Sequence, residues 1–272
     1  MKALSPCLQA FPRECTESFQ EGHKRAFEFF GGVPTRISYD NLKIAVTKIT
    51  GSRQRELTSE FLRLKSHYLF ESHFCLVRRA NEKGHVENLV GYCRRNFLVP
   101  IPKVNTLTEL NEELERRCRV DLDRTLRGKS ASKRELLREE LAKMLDLPRQ
   151  AFDARRVTGA SANSLSLVQY DTNRYSVPVK YAHRQITIVA SVDEVRLTFQ
   201  GELIARHSRH WGREKHVFDR RPRGYEAPCC NLEKLLKNKP RTRSYYTVDF
   251  LQVLASLSIF KQVLALFYLP TV

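Results

Sequence analysis

Asn81 to Val99 reads NEKGHVENLVGYCRRNFLV, and at helical spacing Val86, Leu89, Val90, Cys93 and Phe97 fall on one apolar stripe. Lys83, Glu87, Gly91 and Arg94 follow one another on the opposite face. Glu87 is therefore expected to look away from the core, flanked by Lys83, Arg94 and Arg95 and beside a glycine that leaves room for a ligand. A carboxylate so placed suits a metal ion held near phosphates. A solvated helix face explains the same pattern, and this stretch alone does not separate the two readings.

Working back toward the N-terminus, YDNLK at Tyr39 to Lys43 follows a short β-prone run, Arg36 to Tyr39. Asp40 is expected at the C-terminal end of that strand, where ligands gather in open α/β sheets; an Asx turn made by Asp40 and Asn41 is the plain alternative. Ahead of it, residues 14–30 read as a helix with Phe19, Ala26, Phe27 and Phe30 inward, ended by Gly31 and Gly32. Residues 43–49 read as a second strand and 55–66 as a polar helix.

Several long segments stand in a telling order: FPRE at Phe11 to Glu14, AFEFFGGVPTRISYDNLKIAV at Ala26 to Val46, and SHYLFESHFC at Ser66 to Cys75. KGHVENLVGYCRRNFLVPIP at Lys83 to Pro102 and SLSLVQYDTNRYSVPVKYAHR at Ser164 to Arg184 follow. Together they resemble the DDE transposases of the IstA type, the larger protein of one group of bacterial insertion sequences. The resemblance runs over residues 11–218. It implies a ribonuclease H-like integrase catalytic core in which Asp40 and Glu87 are catalytic and bind metal. In such a site two Mg2+ ions, about 3.5–4 Å apart, serve DNA strand cleavage and transfer. Lys83, Arg94 and Arg95 would then contact phosphate.

The family's first metal-binding aspartate lies on an upstream strand hairpin, whereas residues 1–39 contain no aspartate. The resemblance therefore implies an N-terminally truncated copy with a half-built site, inactive by itself. The alternative is a non-catalytic or vestigial DNA-binding protein. Also implied by resemblance are a helper ATPase of the same element and a homo-oligomer on DNA.

Composition agrees with a polyanionic partner. The 272 residues carry a formal net charge of +17, spread along the chain rather than gathered in a tail. Basic binders of ribosomes or anionic membranes share that signature. Seven cysteines without CxxC spacing are neither a zinc site nor a disulfide framework and point to a reduced, intracellular protein; the resemblance implies a bacterial cytoplasm and association with the nucleoid. His207, His210 and His216 lack partners at zinc-like spacing and are read as basic surface.

The expected fold class is thus α/β plus all-β. A partial ribonuclease H-like catalytic core fills residues 1–102, and a charged helical linker, ELNEELERRCRVDLDR then SKRELLREELAKML, fills 103–157. Residues 158–220 change to a period of two, with five short β-prone runs that make a small β-barrel. Its candidate phosphate contacts are Arg174, Lys180, Arg184, Arg196, Arg206 and Arg209; strand-edge protection is the other reading of such arginines. Residues 221–272 are a divergent helical tail, whose apolar run Val248 to Leu269 contains Asp249 and Lys261 and so reads as a partner helix rather than a membrane span.

Overall fold

The computed structural model describes residues 6–39, 43–50, 54–74, 91–100, 102–126 and 128–218. It is mixed α/β and divides into two compact units, the first running through Ala154 and the second beginning at Arg155.

In the first unit, α1 (Thr16–Phe30) buries Phe19, Ala26, Phe27 and Phe30, the residues that its 3.6-residue period selects. Gly31, at φ 76, ends it in the left-handed conformation, its N–H bonded to the carbonyls of Phe27 and Glu28. β1 (Arg36–Tyr39) and β4 (Glu71–Phe74) form a parallel pair, with Tyr39 opposite Phe74. The aromatic rings of α1, β1 and α2 (Ser59–Tyr68) interlock, Phe27 against Tyr68 at 4.7 Å and Tyr39 against Phe61 at 5.1 Å between centroids. Each such fully buried side chain contributes roughly 1.5–3 kcal/mol.

Between these elements the sequence reading needs correction. Residues 55–57 are not helical: β2 (Val46–Thr50) and β3 (Gln54–Leu57) form an antiparallel hairpin, and α2 begins only at Ser59. Thr58 sets that boundary. Its hydroxyl accepts from the Phe61 N–H at 3.2 Å and donates to the Ile44 carbonyl at 2.7 Å, so the cap also ties the helix to the hairpin.

Residues 91–97 form the described part of α3, followed by α4 (Leu107–Asp121) and α5 (Lys133–Leu141). α4 buries Leu110, Leu114 and Cys118 against Cys93 and Phe97 of α3. Ser132 starts α5 with a capping box, its side chain and that of Glu135 each satisfying the other's backbone N–H. Leu122, Leu137, Phe152 and Ala154 enter the same core as Phe27 and Tyr39, and Val33 and Leu145 exchange backbone bonds of 2.9 and 2.8 Å. The charged helical stretch therefore packs on the first unit. Its outward charges are largely paired along the helix, as in Glu113 with Arg116 and Arg117 and Glu115 with Arg119.

Among its described residues the second unit is all β apart from one 3-10 turn. β5 (Arg156–Ser161), β8 (Gln185–Ala190), β9 (Glu194–Phe199) and β10 (Glu202–Ser208) make an antiparallel sheet in the order β10-β9-β8-β5. β6 (Leu167–Tyr170), β7 (Asn173–Ser176) and β11 (His216–Val217) make the other, in the order β11-β7-β6. Val168, Tyr175 and Val177 from one sheet share a core with Ile186, Ile188, Val195 and Leu197 from the other. The ladders form two sheets rather than the single closed barrel expected, since Pro178, which has no N–H to donate, and the turn Val179–Tyr181 separate β7 from β8. Two hairpins turn through paired positive φ values, 58 and 76 at Asp171-Thr172 and 51 and 87 at Gln200-Gly201, the geometry that matches the twist of the strands.

Candidate nucleic-acid interface and carboxylate positions

β1 ends at Tyr39, the residue that precedes Asp40 in the chain. Tyr39 and His23 are both fully buried. The Phe19 carbonyl can only accept, so the His23 Nδ1 at 2.7 Å carries the proton and its Nε2 accepts from the Tyr39 hydroxyl at 3.0 Å. Burial pushes the imidazole down to about 3, keeping it neutral in this role, and pushes the phenol well above its ordinary range. Asp40, Lys83 and Glu87 lie outside the described residues. Among the described residues no group of three or more His, Cys, Asp or Glu is arranged to hold a metal ion.

α3 is anchored by charge as well as by Cys93 and Phe97. The Tyr92 hydroxyl donates to Asp121 Oδ1 at 2.5 Å, and Lys133 Nζ lies 2.6 Å from Asp121 Oδ2 with both side chains buried. Arg117 donates to the Phe97 carbonyl at 2.8 Å, satisfying one of the acceptors at the C-terminal end of the helix. Arg94 and Arg95 stay exposed on the other face. The space beside Gly91 is not open for a ligand: a Cβ there would stand 3.2 Å from Nη1 of Arg95, whose guanidinium covers it.

In the second unit the candidate cations fall into three places. Arg174 projects from β7 in a cross-strand row with Gln169 and His216, away from the buried Tyr175. Lys180 lies over the ring of Tyr181 at 5.0 Å, and Arg184 follows the same turn; both are exposed. Among the described residues Arg174, Lys180 and Arg184 have no carboxylate partner. Arg206 belongs to the other sheet, in the row Val157, Val189, Arg196, Arg206, where Glu194 holds Arg196 at 3.1 Å and Arg206 at 3.4 Å.

Residues 147–219 match the family described as Mu transposase, C-terminal domain. Over 213 residues, 75% of this chain, the sequence is 33% identical to the transposase for insertion sequences IS1326/IS1353 of Pseudomonas aeruginosa, of which the match covers 40%. It is 32% identical over 200 residues to the transposase for insertion sequence element IS21 of the same organism, covering 73% of this chain and 51% of that protein. A transposase of Aminobacter aminovorans is 31% identical over 203 residues. The chain belongs to the insertion-sequence transposases. It spans about 40–50% of the length of these curated relatives.

One candidate contact of this chain is corrected by its surroundings. Arg209 is not a surface cation: its side chain is 2% exposed, with Nη1 donating to the Ser191 carbonyl at 2.7 Å and Nη2 3.5 Å from Asp171 Oδ2. Its guanidinium is flanked by Trp211 at 3.8 Å and Tyr170 at 5.3 Å, so desolvation and stacking commit it to the fold. The aromatic spacing gave no warning, since these partners come from different strands and loops. His207 likewise turns inward, with Nε2 bonded to the Ser176 carbonyl at 2.7 Å. Among the described residues no helix is long and apolar enough to cross a membrane.

Proposed function

We propose that this chain supplies part of the catalytic core and the DNA-binding module of an insertion-sequence transposase that cuts and joins DNA strands. The observation that carries the reading is the end of β1: a buried parallel strand, braced by His23, leads directly into Asp40, the position at which an open α/β sheet presents catalytic groups. The pair β1 and β4 under α1 is compatible with a ribonuclease H-like core. The two-sheet unit is compatible with the small barrel that such enzymes lay on DNA. The net charge of +17 supports a polyanionic substrate, and the names of the relatives support transposition.

Asp40 and Glu87 are hard oxygen donors of the kind Mg2+ prefers and would hold it. A bound ion supplies Lewis-acid activation of water or a 3′ hydroxyl against a phosphodiester. The chain's own residues do the rest: Tyr39 and His23 fix the strand end, while Arg94, Arg95 and the unpaired cations of the second unit hold the phosphate backbone. A helper ATPase and assembly as a homo-oligomer on DNA belong to the same reading.

A second reading, DNA binding without chemistry, is favoured by the exposed cations Arg174, Lys180 and Arg184 of the second unit. A nicking and strand-transfer assay with Mg2+ or Mn2+ separates them. It compares these 272 residues, a form extended at the N-terminus by an aspartate-bearing strand hairpin, and the Glu87→Gln variant of each. In whichever form is active, activity is expected only with Glu87 intact. Activity of the extended form that survives Glu87→Gln would remove Glu87 from the site.

A further inference from the structure

The loop of residues 210–215, between β10 and β11, is built with more care than a connection requires. Asn173 is buried, and its side chain makes every bond available to it there: Nδ2 donates to the carbonyls of His210 and Gly212, both at 2.8 Å, and Oδ1 accepts from the Lys215 N–H at 3.0 Å. The His210 N–H donates to the Tyr175 hydroxyl at 3.2 Å. Trp211 donates to the Val192 carbonyl at 3.1 Å and closes one side of Arg209. A Cβ at Gly212 would lie 2.6 Å from Nε2 of His210, so a larger residue there would require that ring to move. Glu214 holds φ 56, a conformation that costs a non-glycine residue energy and persists only where the surroundings enforce it.

The result is a rigid arch whose outward residues, Arg213 and Lys215, are exposed and, among the described residues, have no ion-pair partner. The arch is joined to β7 at Arg174, whose N–H donates to the Lys215 carbonyl at 2.8 Å and whose register partner is His216. Gln169, Arg174 and His216 make the adjoining row polar throughout, without the apolar centre that a protein interface uses. Cations held on a pre-ordered backbone, at a polar surface, suit a sugar-phosphate chain.

We propose that the loop of residues 210–215 is a phosphate-contact loop for duplex DNA, in which Arg213 and Lys215 join Arg174 and Asn173 is the positioning residue that keeps the arch in shape. The proposal rests on the reading that the second unit binds DNA. Its contribution is sequence-independent, because phosphate contacts fix register and orientation without reading base edges.

The test is fluorescence anisotropy of the full chain on a labelled duplex across a salt series. Replacing Arg213 and Lys215 by alanine is expected to weaken binding and lower the slope of log affinity against log salt by about 1.8, two contacts at about 0.9 each. Asn173→Ala is expected to approach the same loss although both cations remain. Hydrogen exchange of residues 210–215 should rise in that variant without DNA, and in the wild type should fall when duplex is added. A wild type that binds while Arg213→Ala/Lys215→Ala keeps its affinity and slope overturns this proposal alone. A wild type that binds no duplex overturns both it and the DNA-binding reading beneath it.

Discussion

The hydroxyl of Tyr39 donates to Nε2 of His23 across 3.0 Å, with both side chains fully buried. A helix and a strand are thereby joined through a neutral imidazole whose other nitrogen is already committed to the Phe19 carbonyl. Removing the donor leaves Nε2 buried and unsatisfied, which costs about 1–3 kcal/mol. Tyr39→Phe is expected to lower the unfolding midpoint of the first unit by that much, measured by denaturant titration. An unchanged midpoint would mean that the bond contributes nothing.

The same imidazole makes the first unit acid-sensitive. Its folded pKa is pushed down to about 3 by burial, while an exposed histidine titrates near 6.5, so between these values the unfolded state binds the extra proton. Stability from this group is complete above about pH 6.5 and is lost as pH falls toward 3. A thermal-melt series from pH 7 to pH 4 should show the decline. His23→Gln, which cannot titrate, should flatten it even if its melting point at pH 7 is lower.

Lys133 and Asp121 form a buried ion pair shared with Tyr92. Lys133→Met would leave the buried carboxylate with only the Tyr92 hydroxyl and the more distant Arg124, at 3.5 Å, a change expected to cost up to about 3–5 kcal/mol, whereas adding Asp121→Leu to it should recover much of the loss. A double-mutant cycle by urea unfolding checks this, and additive losses would refute the coupling.

The exposed cations differ in whether they are already neutralised. Arg174, Lys180 and Arg184 lack a carboxylate partner among the described residues, so replacing all three with alanine should cut the salt slope of duplex binding by about 2.7. Glu194→Ala, which removes the carboxylate beside Arg196 and Arg206, should tighten binding at low salt. Equal slopes in all three proteins would place the contacts elsewhere.

Arg209→Ala should act through the fold. Its loss empties the space between Trp211 and Tyr170 and leaves the Ser191 carbonyl without its 2.7 Å donor. The expected result is a melting point several degrees lower for the second unit, on the order of 1–3 kcal/mol, read by thermal denaturation. Loss of DNA affinity at an unchanged melting point would return Arg209 to the surface set.

Strong periodicity made much of the fold legible. Phe19, Ala26, Phe27 and Phe30 mark the inner face of α1, Gly31 ends it, and Arg36–Tyr39 is β1 as read. Turn chemistry at Asp171-Thr172 and Gln200-Gly201 separated the strands correctly. Elements that failed lack a local signal. Gln54–Leu57 is composed of good helix formers and becomes a strand only because β2 pairs with it. β5, with Gly159, Ala160 and Ser161, has little β propensity and depends on β8. Of the site, the exposed cations could be read from composition, but not which were paired, because Glu194 reaches Arg206 only across the β9–β10 pairing. Asp40 and Glu87 were picked out by strand-end and helix-face position, were given a catalytic role only by the resemblance, and lie outside the described residues.

The pairing of β11 with β7 has a consequence during synthesis. Hairpins β6–β7, β8–β9 and β9–β10 join neighbours and can form as they emerge, but β7 gains its second neighbour only from His216 and Val217, and Asn173 its acceptors only from residues 210–212. Until those residues leave the ribosome, β7 is an open edge and Asn173 a polar group with nothing to bond. The closing contact spans more than forty residues, so it is expected to be the slow step of folding, and a nascent chain stalled before His216 the form most prone to aggregate.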